Sequence, residues 1–70
     1  MARRELGDAL QQCLDRLDSA RRLAVGLHLL GHPLQEIPGL AAWTPNRARN
    51  LLYRGLATLR RCLTDKGFAP

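Results

Sequence analysis

TPNRARNLLYRGLATLRRCL, residues 44–63, decides the fold. The Thr44 hydroxyl is placed to accept a hydrogen bond from an orphan amide of a first helical turn, and Pro45 has the fixed φ that suits the first helical position. Behind this start Ala48, Leu51, Leu52, Leu56, Leu59 and Leu63 recur at three- and four-residue spacing, which predicts one long helix with an apolar face. Arg47, Arg49, Asn50, Arg54, Arg60 and Arg61 fall largely on the remaining surface, and no carboxylate accompanies them before Asp65. Asn46, Arg47, Arg49 and Asn50 at the start of such a helix are side chains of the kind that suit base edges and phosphates in a major groove.

Toward the N-terminus the chain continues in helical period. Leu34, Ile37, Leu40 and Ala41 keep helical spacing, but Pro38 removes a backbone donor and Gly39 adds backbone entropy, so this helix must be brief or begin late. Before it, Asp18 or Ser19 caps a helix that carries Leu23, Val25, Leu27, Leu29 and Leu30 and stops at Gly31, a residue suited to a left-handed helix end. Gly26 inside that helix is read as tolerated, at a cost of up to ~1 kcal/mol relative to alanine. A first helix starts at Glu5 after a basic, frayed beginning, with Leu6, Leu10, Cys13, Leu14 and Leu17 as its apolar stripe. At the other end Gly67 closes the long helix, and Phe68 is expected to fold back as an apolar lid. The expected fold is all-α, a small four-helix domain with a C-terminal helix-turn-helix and helices at 5–17, 19–30, 34–41 and 45–64.

With 70 residues and a formal net charge of +5 there is room for one small domain, scarce in aromatic and β-branched residues. A domain of this size buries only ~60% of the surface of its unfolded chain. The charge is uneven: through residue 40 the arginines are balanced by Glu5, Asp8, Asp15, Asp18 and Glu36, and the whole excess lies beyond. That asymmetry points to an anionic partner for the C-terminal half, most simply nucleic acid. No apolar run has the ~18 to 20 residues of a membrane span and no secretory signal precedes the first helix, so a cytoplasmic protein is expected.

Cys13 and Cys62 have neither a CxxC partner nor a histidine at zinc-ligand spacing; both are read as free cysteines that pack as small core or boundary hydrophobes. His28 and His32 are four apart without an evident third ligand, so no metal and no cofactor is expected. Scattered carboxylates, the lack of a glycine-rich phosphate loop and the lack of an activated nucleophile argue against an enzyme. Trp43 has two readings, stacking on DNA or a buried indole that fixes the angle between the flanking helices, and the turn position favours the second. Tyr53 is placed either to reach a phosphate or to pack on the rim of the core.

Two helices joined by a short turn, the second basic at its start, form a helix-turn-helix pattern. The residues that fill it resemble a known family. Leu17 with Asp18, Ser19, Ala20, Arg21 and Arg22, then residues 27–31, the Gln35-Glu36-Ile37 step, the Trp43-Thr44-Pro45 turn and above all the ARNLLYRGL run of residues 48–56 are similar to region 4 of extracytoplasmic-function (ECF) sigma factors. The similarity covers residues 14–63, and the Lys66-Gly67-Phe68 ending looks like the natural end of such a chain.

The resemblance implies a four-helix unit whose recognition helix enters the major groove of the minus 35 promoter element. It also implies that another surface docks on the β flap of core RNA polymerase, and that an anti-sigma factor covers these surfaces. By position Asn46, Arg47, Arg49 and Asn50 would read bases or groove edges, Arg54 would hold the phosphate backbone, and Arg21 and Arg22 would be weaker phosphate contacts. Many relatives have alanine where Pro38 stands, glycine near Ala42, a serine or threonine cap in place of Pro33 and arginine in place of Leu51, which predicts a distorted third helix and one DNA contact fewer. The domain that melts the downstream element has no counterpart here, so a fragment of a longer sigma factor is the expectation, with a stand-alone relative as the other possibility. The competing function is a sigma-like interaction domain that binds polymerase or an anti-sigma protein and reads little promoter sequence itself.

Overall fold

The computed structural model describes residues 2–68, with side chains from Arg4 onward. Four α-helices and one turn of 3-10 helix follow in order: α1 (Ala2–Asp15), α2 (Ser19–Leu29), the 3-10 turn (Leu34–Glu36), α3 (Ile37–Ala41) and α4 (Pro45–Asp65). No strand occurs among the described residues, so the fold is all-α. The first helix begins at Ala2, three residues before Glu5, so the expected fraying is not seen there; the part of that expectation that concerns Met1 lies outside the described residues.

Local chemistry sets each boundary. Asp18 caps α2 by accepting from the Arg21 amide at 2.9 Å, and Thr44 caps α4 by accepting from the Arg47 amide at 3.2 Å. The ends of α2 and α4 share a device: Gly31 at φ +101 and Gly67 at φ +94 take the left-handed conformation, with His32 N donating to Leu27 O and Phe68 N donating to Leu63 O. Phe68 is thereby folded back, half-buried. Pro38 stands in the first turn of α3, where its missing donor costs least, and the helix lasts only five residues. Ala42 then ends it in the left-handed region at φ 58, the one non-glycine residue to do so among the described residues.

The helices meet along α4. Its buried side is Ala48, Leu52, Gly55, Leu59 and Cys62, and the facing residues are Cys13, Leu17, Ala24, Val25 and Ile37. Gly55 is the point of closest approach: a Cβ built there would lie 2.6 Å from Val25 Cγ2. Gly26, by contrast, has nothing within 4 Å of such a Cβ and is simply tolerated. Trp43 is half-buried and packs against this core, in line with the structural reading of the indole.

Two expectations need correction. Cys13 and Cys62 are not free: they form a disulfide between α1 and α4, with Cα atoms 5.7 Å apart and a sequence separation of 49. Both face the same core, and tertiary packing rather than local spacing brings them together. The apolar positions are also less buried than their periodicity predicts. Leu6, Leu23, Leu29 and Leu30 are exposed at 45, 47, 49 and 79%, because α1 turns only Ala9 and Cys13 inward, with Leu17 buried just beyond its end, and α2 only Ala24 and Val25.

Candidate nucleic-acid interface

The Thr44 cap and Pro45 start α4 cleanly, and from there the residues alternate between the core and solvent as helical geometry requires. Ala48 and Leu52 go inward, while Asn46, Arg47, Arg49, Asn50, Tyr53 and Arg54 are all exposed. At 100° per residue Asn46, Asn50 and Tyr53 share the outermost stripe, with Arg49 on one flank and Arg47 and Arg54 on the other. The first turn of α4 carries no acidic residue, so the partial positive charge of its N-terminal amides adds to the arginines rather than being offset.

One flank is concave. Arg47, Asn50, Leu51 and Arg54 of α4 and Arg21 of α2 line a depression of about 430 Å³. Three arginines line it, and one of them, Arg21, pairs with Asp18 at 3.6 Å. That pair is partly exposed, and such pairs contribute only ~0 to 1 kcal/mol, so it leaves most of the positive potential in place. The Nε of Arg21 is buried and lacks a hydrogen-bond partner, the sole such side-chain atom among the described residues. On the other flank Arg49 lines a second depression, about 380 Å³, with Leu34, Gln35, Pro38 and Pro45. This is the side on which α3 approaches α4.

The structure separates the two arginines of α2. Arg21 joins the α4 cluster, whereas Arg22 turns away and donates from Nη2 to Leu17 O at 2.9 Å and Asp15 O at 3.3 Å. Arg22 thus satisfies carbonyls at and just after the end of α1, which gives it a structural task apart from the α4 cluster. Tyr53 is 57% exposed on the outer stripe, so packing on the core rim does not describe it. Its position between Asn50 and Arg54 was the available signal. His28 is exposed, and the half-buried His32 meets Glu36 at 3.2 Å; no group of three or more possible metal ligands occurs among the described residues.

No helix is long and apolar enough to cross a membrane among the described residues. Comparisons of the chain with protein-family models, with curated proteins and with solved structures return no match.

Proposed function

We propose that the chain is a sequence-specific double-stranded-DNA-binding domain that acts in transcription initiation as sigma region 4 does, with α3 and α4 as its helix-turn-helix and α4 as the recognition helix. The observation that carries this reading is the cluster of Arg47, Asn50 and Arg54 with Arg21 around one concavity, continuous with exposed Asn46 and Arg49, with no acid in the first turn of α4. Asn and Arg pair bidentately with adenine and guanine edges, and a helix of this kind fits the width of the major groove. In this arrangement Asn46, Arg49 and Asn50 face the bases. Arg47, Arg54 and Arg21 line the concavity that takes the backbone phosphate beside them. The chain works in the cytoplasm, where promoter DNA and core RNA polymerase are.

A second reading, docking on the polymerase β flap or an anti-sigma protein with little DNA reading, draws on the opposite face. There Leu23, Gly26, Leu27 and Leu30 with Ser19 and Arg22 line a mainly apolar groove of about 390 Å³, and Leu30 is the most exposed large hydrophobic among the described residues.

Fluorescence anisotropy separates the two. The chain is titrated with a labelled duplex carrying a GGAAC-like element, the kind implied by the resemblance, and with a scrambled duplex, across a salt series. A preference for the first duplex that persists at moderate salt supports promoter reading. Three phosphate-directed arginines would give a slope of about −3 in log affinity against log salt. Equal and salt-fragile binding to both duplexes would reject it in favour of the docking reading.

A further inference from the structure

We propose that the Cys13–Cys62 disulfide is a redox latch that holds α1 on α4, so that a dithiol reductant sets how firmly the domain is folded. The latch rests in part on the DNA-binding reading, which puts the chain in the cytosol. Thiols are kept reduced there, and a disulfide that forms in a mesophile is usually transient and redox-sensing.

The rest comes from how little else holds α1. Among the described side chains of the helix only Ala9 and Cys13 are buried, with Leu10 and Leu14 half-covered. Its polar ties to α4 are peripheral: Lys66 Nζ donates to Gln12 Oε1 at 2.7 Å on the exposed surface. The disulfide is therefore the deepest attachment, with Cys13 0% and Cys62 6% exposed. Because both sulfurs are covered, a reductant reaches them only when α1 lifts, and once they are reduced little brings α1 back. Arg16 Nη1 lies 3.7 Å from Cys62 Sγ and places a cation beside the sulfur best suited to leave as a thiolate.

Opening is a balanced exchange. One thiolate of the dithiol attacks Cys13 Sγ, the Cys13–Cys62 bond breaks, and Cys62 leaves as a thiolate that takes up a proton. The second thiolate of the dithiol then attacks its own sulfur in the mixed disulfide and closes the reductant's ring. Cys13 is released and protonated. Two electrons and two protons pass to the protein, and the dithiol ends as its disulfide. Cys62 lies some 24 Å along α4 from Asn46, at 1.5 Å per residue. Reduction thus leaves the arginine surface untouched and acts through stability.

The test compares the whole chain oxidised in a disulfide buffer with the same chain reduced by dithiothreitol, thiols being counted by alkylation and mass. A loop of this length changes the folded-to-unfolded ratio by up to ~10³-fold in the chain-entropy model. Reduction should therefore lower the melting midpoint by at least ~10 °C, and the amides of α1 should lose hydrogen-exchange protection before those of α2 and α4. Between the two midpoints duplex affinity should fall more than tenfold on reduction and return on reoxidation. Cys62→Ala should melt like the reduced chain and ignore dithiothreitol. Two alkylatable thiols after oxidation would overturn the proposal. So would unchanged melting and unchanged α1 protection in a chain whose reduction the mass confirms. Melting and exchange need no DNA, so separated midpoints without duplex binding in either state would uphold the latch and reject the DNA-binding reading.

Discussion

Gly55→Ala puts the helix packing to a quantitative test. The new methyl carbon would stand 2.6 Å from Val25 Cγ2 and 3.4 Å from the Arg21 carbonyl oxygen, whereas carbon atoms rest at ~3.5–4.0 Å. Val25 cannot turn aside: it is fully buried, and a β-branched side chain in a helix has essentially one χ1 rotamer. The helices must separate by most of an ångström, and overpacking of this sort costs ~1–3 kcal/mol, with the upper half of that range apt for so short a contact. Alanine returns ~1 kcal/mol of helix propensity. The net loss is about 1–2 kcal/mol, which for a domain of this size lowers the melting midpoint by ~5–15 °C. Gly26→Ala is the internal control, because the same propensity gain meets empty space and should raise the midpoint by ~4–8 °C. Both are read by circular dichroism melts of oxidised protein. If Gly55→Ala melts at or above the parent chain, as Gly26→Ala should, the close α2–α4 contact is wrong.

Other substitutions follow from single observations. Ala42→Gly removes a Cβ held at φ 58; relief of the left-handed strain exceeds glycine's added entropy, so a gain of about 0.5–1 kcal/mol is expected in the same melts. Thr44→Ala loses the side-chain cap of α4 and should cost ~1 kcal/mol in a urea titration, with the slope unchanged. In duplex binding, Arg49→Ala should cost ~1–3 kcal/mol and relax discrimination at one base pair, whereas Arg54→Ala should weaken all sequences alike and make the salt slope shallower by about one unit. Arg22→Ala should lower the melting midpoint with no change in that slope, since its guanidinium is engaged by Asp15 O and Leu17 O.

Caps, breakers and charge were readable because they act locally. Asp18, Thr44, Pro45, Gly31 and Gly67 fix boundaries through groups within a few residues, and an arginine series without acids declares a basic surface wherever the helix packs. What the chain alone could not tell depends on which face meets which. Cys13 and Cys62 were placed in the core correctly, yet nothing in two apolar stripes says that two sulfurs on separate helices will touch. The role of Arg22 was hidden for the same reason, since its partners are carbonyls at the end of another helix. One signal was present and overlooked. Ala48, Leu52, Gly55, Leu59 and Cys62 follow a four-three-four-three spacing, which marks Gly55 as part of the buried seam and Leu51, Leu56 and Leu63 as its margins. Arg21's place beside Arg54 is legible only once α2 lies across α4.

The lone tryptophan sits at the corner between α3 and α4, half-buried, its amide donating to Pro38 O at 3.0 Å, three residues ahead of Asn46. That position makes the molecule its own optical reporter. Excitation at the red edge of the indole band avoids Tyr53, so the emission comes from one site that is partly shielded while the domain is folded and wetted when it is not. A nucleic acid arriving at the start of α4 would alter the same environment. Unfolding and ligand arrival are thus visible in one unlabelled signal, distinguished by the direction in which its wavelength moves.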